Sequence, residues 1–154
     1  MKGITPFICG YKITQPFGAN PELYVPLKGH EGVDLVPIRA CYGVHVVESG
    51  IVIEDIDDPQ GRAYGNTVRI KTNTGRVWIY AHMSQNVVKK GDVLSKGQLV
   101  GIMGNTGRCI GSASGGTGVH LHLSVYNIDS SGNKLNPDNG FAGCFDPLSL
   151  EDLK

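Results

Sequence analysis

One stretch of the chain alternates strictly between aliphatic and polar side chains: Val119-His120-Leu121-His122-Leu123-Ser124-Val125. Side chains in a β-strand point alternately to the two faces of the sheet, so this pattern predicts a strand with one aliphatic face. That face can pack into a core, which leaves His120 and His122 together on the opposite face. Two neighbouring imidazoles indicate a metal-binding or catalytic site, although two ordinary surface histidines would give the same pattern.

Other segments carry the same β-strand signature. Polar residues alternate with branched aliphatic residues in 67–71 and 76–80, and the turn sequence Asn73-Thr74-Gly75 lies between them. This arrangement predicts an antiparallel hairpin. Residues 44–55 and 93–103 are rich in valine, isoleucine and leucine, and each is predicted to form two strands separated by a bend.

The composition agrees with a sheet-based fold and excludes several classes of function. Glycine contributes 22 of 154 residues, about twice the usual ~7%, which is typical of strands joined by many turns. Helix is predicted only as a short turn within residues 148–153. Lysine plus arginine and aspartate plus glutamate both number 14, so the net charge is zero, and binding to nucleic acid is not expected. No apolar run approaches the roughly 20 residues that a membrane helix needs, so no membrane insertion is expected.

Further residues that could bind a metal occur upstream. In His30-Glu31-Gly32-Val33-Asp34, the glycine lets the backbone turn, and histidine and aspartate are both common zinc ligands. Together with one histidine of the 120/122 pair, they offer three protein ligands and an open fourth position. That number is typical of a catalytic zinc site, whereas structural sites are usually closed by four protein ligands.

These elements, in this order, resemble the M23 family of zinc metallopeptidases, the lysostaphin-like or LytM-type peptidoglycan endopeptidases. His30 and Asp34 match the family's H-x-x-x-D element, Tyr80-Ala81-His82 its Y-A-H element and His120-Leu121-His122 its H-L-H element. Flanking segments at 14–18, 64–68 and 88–107 agree as well. The resemblance covers residues 13–125 and implies a single domain over 1–154 that is mainly β, with an antiparallel β-sheet groove, little helix and a turn-rich tail at 129–154.

Carried over position by position, the resemblance implies that His30, Asp34 and His122 bind Zn²⁺. It places His82 and His120 beside the metal as general acid/base and oxyanion stabiliser, and Tyr24 as a residue that stabilises the transition state. The implied activity is zinc-dependent endopeptidase cleavage of peptide bonds in bacterial peptidoglycan by a zinc-activated water. The alternatives are a catalytically silent module of the same fold that binds or activates a partner, and a lipoyl- or biotinyl-like carrier module.

The resemblance also has consequences for partners and location. The expected partner is the peptide part of peptidoglycan, and the isolated domain is expected to be a monomer acting on the cell wall outside the cell. Residues 1–10 contain no secretory signal, which favours a phage virion or tail enzyme, a holin-released endolysin, or a domain of a larger exported protein. Residues 108–118 are longer than the corresponding family link, and we expect them to form a rim of the cleft.

The four cysteines do not indicate a zinc site. Cys9, Cys41, Cys109 and Cys144 are spread along the chain without a C-x-x-C pair. Free thiols and one or two disulfides are both consistent with this spacing.

Overall fold

The hairpin predicted around Gly75 lies in the middle of a ten-stranded sheet. The computed structural model describes residues 6–60, 63–107 and 118–150. The strands in these ranges are β1 (Tyr11–Gln15), β2 (Val33–Pro37), β3 (Gly43–His45), β4 (Gly50–Ile56), β5 (Asn66–Thr72), β6 (Arg76–Asn86), β7 (Val93–Leu94), β8 (Leu99–Met103), β9 (Leu121–Asn127) and β10 (Cys144–Phe145). Within the same ranges, no α-helix forms, and 3-10 turns lie at Pro21–Leu23 and Pro147–Ser149.

All the strand pairs in the described ranges are antiparallel, as the sequence predicted. The main order is β1-β2-β9-β6-β5-β4-β7. In addition, β8 pairs with both β6 and β3, and β10 pairs with the C-terminal part of β9. The bends predicted within 44–55 and 93–103 separate β3 from β4 and β7 from β8. No helix in the described part of the chain is long and apolar enough to cross a membrane.

The sheet buries apolar side chains on both of its faces. The predicted aliphatic face of β9, formed by Leu121, Leu123 and Val125, packs into the main core with Trp78 and Tyr80 of β6. The opposite face carries a smaller apolar cluster, whose buried members are Val77, Ile79, Ala81, Tyr126, Ile128 and Cys144. His120 and His122 lie on this second side, as their alternation with the aliphatic residues predicted.

Strands β1 and β2 were not predicted. β2 has only five residues and is interrupted by Asp34 and ended by Pro37, so its sequence has no clear alternation. It forms because it pairs with β1 on one side and with β9 on the other. Such pairing between distant segments overrides weak local preference.

A capping hydrogen bond stabilises the C-terminal end of the described region. Asp146 caps the 3-10 turn at Pro147–Ser149 by accepting a hydrogen bond from the backbone N–H of Leu148 at 2.9 Å. This turn covers the start of the segment that was predicted to be helical, and residues 151–154 lie outside the described ranges.

The structure pairs Cys9 with Cys41 in a disulfide that connects the chain before β1 to the segment between β2 and β3. Cys144 is a free, buried thiol, and burial raises its pKa to about 11. It is therefore a poor nucleophile at neutral pH. Cys109 lies outside the described residues.

Candidate metal centre and active site

Strand pairing brings polar residues from two adjacent strands together. Asp34 of β2 is directly opposite His122 of β9, and His122 is opposite Ala81 of β6 on its other side. Directly opposed residues in antiparallel strands share a face of the sheet. Asp34 and His122 therefore lie side by side on one face of the sheet, and the small side chain of Ala81 follows next to His122 on the same face.

His30, Asp34 and His122 direct one ligand atom each toward a common point. His30 Nε2 lies 3.0 Å from His122 Nδ1, and Asp34 Oδ1 lies 3.2 Å from each of these nitrogens. A zinc tetrahedron with bonds of about 2.0–2.2 Å has edges of about 3.3–3.6 Å. The three separations are slightly shorter than these edges and come close to one face of such a tetrahedron, and all three side chains are buried. These residues fit a zinc ion.

His30 is held by the loop that follows β1. Its backbone N–H donates to the carbonyl of Ala19 at 2.9 Å, and its carbonyl accepts from the backbone N–H of Gly18 at 2.8 Å. A Cβ at Gly29 would collide with the Gly18 carbonyl, so this close approach requires glycine. The ring Nδ1 of His30 faces the Pro16 carbonyl at 3.3 Å. Because a carbonyl only accepts, Nδ1 carries the proton and Nε2 offers its lone pair.

His82 reaches the site because its backbone leaves the regular strand conformation. Regular alternation would place it on the same face as Trp78 and Tyr80, in the main core. Its φ is +61°, a left-handed value that is uncommon for residues other than glycine. This turns the ring to within 5.8 Å of the His122 ring, measured between centroids. Its Nδ1 donates to the Thr106 carbonyl at 2.7 Å, which leaves Nε2 free to accept a proton.

His120 has the same ring orientation as His82. Its Nδ1 donates to the Gly118 carbonyl at 2.8 Å, and its Nε2 lies 3.5 Å from Asp34 Oδ2. The rings of His82 and His120 are 4.9 Å apart, measured between centroids. Two imidazoles therefore present their Nε2 atoms beside the three candidate ligand atoms, an arrangement that can accept or donate protons.

Burial and neighbouring side chains together set the charge on two of these residues. Burial lowers the pKa of His82 to about 4, the neighbouring His122 contributes in the same direction, and the hydrogen bond to Thr106 only partly opposes this. Burial alone would raise the pKa of Asp34, but the adjacent imidazole rings of His122 and His30 outweigh it and hold the pKa well below its usual range. At neutral pH the site thus holds a neutral His82 beside an ionised Asp34.

The lowered pKa of His82 predicts that the metal-free protein loses stability on acidification. The unfolded chain takes up a proton at this histidine near pH 6.5, whereas the folded chain does so only near pH 4. Between these values the unfolded state binds more protons, so the free energy of unfolding decreases as the pH falls, by roughly 3 kcal/mol at most from this residue. Urea unfolding of the metal-free protein from pH 7 to pH 4 measures this loss.

The matched variant for that measurement is His82→Asn, since asparagine tolerates a left-handed backbone better than most residues. The variant should show a clearly smaller loss of stability over the same pH range. Equal losses in the two proteins would contradict the prediction.

Tyr24 lies at the edge of the site. Its ring centroid is 5.1 Å from that of His30, and its hydroxyl donates to Gln15 Oε1 at 2.8 Å. Burial and the charge of Asp34 raise its pKa to about 12, so the hydroxyl keeps its proton at neutral pH and can act as a donor.

The site lies in a pocket with a volume of about 220 Å³. The residues that line this pocket are Leu23, Tyr24, Leu27, His30, Glu31, Asp34, Ala63, Tyr64, His82, His120 and His122.

Two polar residues of this pocket, Glu31 and Tyr64, received no role from the sequence. Glu31 is only 8% exposed and accepts a hydrogen bond from the Tyr64 hydroxyl at 2.8 Å. The only sequence feature that could have indicated a role for Glu31 is its position next to His30, and the neighbouring residues do not show that its side chain is buried.

The predicted rim at 108–118 lies outside the described residues except for Gly118.

The fold and the site together define a candidate metal-dependent hydrolase. Residues 28–137 match the model of peptidase family M23. The chain belongs to this family, as the motifs predicted.

Known proteins share both sequence and fold with the chain. The peptidoglycan DD-endopeptidase ShyA of Vibrio cholerae is 35% identical over 97 residues, which are 62% of this chain and 20% of ShyA. The antimicrobial peptidase lysostaphin from Staphylococcus simulans superposes with a TM-score of 0.65 at 26% identity, covering 90% of this chain and 48% of the lysostaphin chain. A zinc-containing peptidase from Vibrio cholerae superposes with a TM-score of 0.58 at 28% identity, covering 87% of this chain and 39% of that one. The lysostaphin-like fold is thereby confirmed.

The chain corresponds to only a part of its curated relatives. The matched region spans 20% of ShyA and 30% of an uncharacterised metalloprotease from Buchnera aphidicola. The chain therefore spans less than a third of the length of these two relatives.

Proposed function

We propose that the chain is a zinc-dependent endopeptidase that hydrolyses peptide bonds in bacterial peptidoglycan. The observation that carries this proposal is the grouping of three buried ligand atoms 3.0–3.2 Å apart, beside two histidines that do not belong to the ligand set. A purely structural zinc site needs neither an open position nor neighbouring bases. His30, Asp34 and His122 would hold the metal.

When bound, zinc supplies a Lewis acid that activates water and polarises the scissile carbonyl group. The Nε2 atoms of His82 and His120 are free to accept the proton released by water and to return it to the leaving amine. Their Nδ1 protons are fixed on the carbonyls of Thr106 and Gly118, so each ring is already oriented for this exchange. The Tyr24 hydroxyl, protonated at neutral pH, would supply a donor for the developing oxyanion once its proton turns away from Gln15 Oε1.

The proposed substrate and location rest on the relatives and on one structural feature. ShyA is named a peptidoglycan DD-endopeptidase, which supports a peptide bond of the cell wall as the target. The Cys9–Cys41 disulfide supports action outside the reducing cytoplasm. We propose that the domain acts as a monomer on the wall, delivered as a phage virion or tail enzyme, released through a holin, or carried by a larger exported protein.

The alternative of a catalytically silent module is not favoured by the site. A module that only binds has no need for a complete ligand set together with two correctly oriented imidazoles. Here the described residues retain all of them.

A direct assay tests the proposed activity. The purified protein should clear a suspension of purified peptidoglycan, lose this activity when a chelator removes zinc, and regain it when zinc is restored. Mass spectrometry of the products identifies the bond that is cut. Tightly bound zinc without any hydrolysis of peptidoglycan from several chemical types would contradict the proposal.

Gly32 gives a first prediction about the proposed metal site. A Cβ at this position would lie 2.6 Å from the Leu123 carbonyl oxygen and 2.9 Å from His122 Nε2. We expect Gly32→Ala to displace the His122 ring, weaken zinc binding and destabilise the fold by about 1–3 kcal/mol, as overpacking does. Metal analysis after dialysis and urea unfolding measure the two effects.

The control for this prediction is Gly43→Ala. Gly43 also lies in a strand, but its Cβ would meet the flexible end of the Leu99 side chain, at 3.0 Å. This variant should retain zinc with only a small loss of stability. Similar zinc loss in both variants would show that Gly32 has no special relation to His122.

A further inference from the structure

His122 is oriented differently from the other histidines of the site. His30, His82 and His120 each direct Nδ1 to a backbone carbonyl and Nε2 toward the site. His122 is reversed, because its Nδ1 is the atom that faces His30 and Asp34. Its Nε2 is fully buried and has no hydrogen-bond partner within the standard distance among the described residues. No backbone carbonyl therefore fixes the proton position on this ring.

The polar group beside Nε2 is the carboxylate of Glu31. Glu31 Oε1 lies 3.5 Å from His122 Nε2, and both side chains are nearly inaccessible to solvent. The same oxygen accepts the hydrogen bond from Tyr64 at 2.8 Å, while the Tyr64 ring packs on the His122 ring with centroids 5.2 Å apart. Tyr64 therefore fixes the carboxylate at the one edge of the ring that faces away from the ligand atoms.

The chemistry of imidazole connects these two observations. A neutral imidazole has one N–H and one unprotonated nitrogen, and only the latter can bind a metal. If Nδ1 of His122 binds the metal, Nε2 must carry the proton, and a buried N–H requires an acceptor. A carboxylate that accepts this proton also makes the ligand nitrogen more basic.

We propose that Glu31, held in place by Tyr64, is the positioning residue for His122. It fixes the tautomer with the proton on Nε2 and so presents Nδ1 to zinc, the role that backbone carbonyls fill for the other three histidines. This inference rests on the proposed zinc site but not on the substrate. Glu31 lines the pocket, so the alternative is that it contacts the substrate and leaves the metal unaffected.

The test compares zinc affinity in Glu31→Gln, Tyr64→Phe and the double variant, measured by competition with a chelator of known affinity. Glutamine keeps the shape of the side chain but removes the charge, so zinc affinity should fall by about 10–100-fold. Tyr64→Phe should weaken zinc binding in the same direction by a smaller factor. The double variant should resemble Glu31→Gln alone, because Tyr64 acts through the carboxylate. The control is Glu22→Gln, an exposed carboxylate in the neighbouring 3-10 turn, which should retain the parent affinity.

A spectroscopic readout on the parent protein makes the test independent of whether the variants fold. In the ¹⁵N-histidine-labelled, zinc-loaded parent protein, long-range ¹H–¹⁵N spectra should show His122 with its proton on Nε2. Where Tyr64→Phe folds, the same resonance should shift in that variant. Zinc affinity within twofold of the parent in Glu31→Gln, or the proton of His122 on Nδ1, would overturn the inference. Normal zinc affinity combined with lower hydrolysis would instead assign Glu31 to substrate contact.

These experiments distinguish a failure of this inference from a failure of the proposed peptidase activity. A protein that binds zinc through His122 and depends on Glu31, yet cuts no peptidoglycan, would support this inference and refute the proposed activity. A parent protein that binds no zinc would overturn both.

Discussion

Asp34→Asn is expected to abolish stable zinc binding and to reduce peptidoglycan hydrolysis to the level of the chelated protein. Asp34 Oδ1 lies 3.2 Å from both ligand nitrogens and supplies the only negative charge of the ligand set. Asparagine has the same size but no charge, so the two histidines would face the cation with a weak neutral ligand. The loss of affinity should exceed the roughly 10–100-fold that is typical for residues behind the ligands.

The measurement is zinc content after dialysis, followed by titration with zinc against a competing chelator. The matched control is Asp57→Asn, which removes one exposed carboxylate from the segment after β4 and should leave both zinc binding and hydrolysis unchanged. Because Asp34 is buried, the folding of the variant is checked by its unfolding transition. A folded Asp34→Asn protein with normal zinc affinity would contradict the assignment of Asp34 as a ligand.

The sheet could be predicted from the sequence because its central strands alternate clearly. The pattern in 119–125 placed Leu121 in the core and His120 and His122 on the other side, and the structure confirms this. The pairing of β2 with β1 and β9 could not be predicted, because β2 is short and contains Asp34. It also depends on partner strands that lie up to about ninety residues away in the sequence.

The candidate site could be assembled from motifs but not from local geometry. Simple alternation would put His82 in the main core with Tyr80, and only its left-handed backbone turns the ring toward His122. The burial of Glu31 is likewise a tertiary effect, since it depends on Tyr64, which lies 33 residues further along the chain. Sequence motifs name the residue types that chemistry needs, whereas the proton positions on the four rings depend on which carbonyls and carboxylates the fold brings to them.

The second large effect is expected for His120→Ala, which should keep zinc bound while slowing hydrolysis by about 10²–10⁴-fold, the usual contribution of a general acid or base. Its Nε2 is free to exchange protons, because Nδ1 is fixed on the Gly118 carbonyl. The ring is also not among the three residues that direct ligand atoms to the common point. The change should therefore appear in kcat with little change in zinc affinity.

His82→Asn is the companion variant, and the double variant distinguishes two arrangements of the chemistry. The two rings lie 4.9 Å apart between centroids, close enough for both to act on one reacting group. If they serve the same proton transfer, removing the second ring after the first should cost little, because residues that act as a unit are strongly non-additive. If one ring takes the proton from water and the other stabilises the oxyanion, the two losses should approach the product of the single effects. Full activity of zinc-loaded His120→Ala would remove this histidine from the mechanism, and loss of zinc from the folded variant would instead make it a ligand.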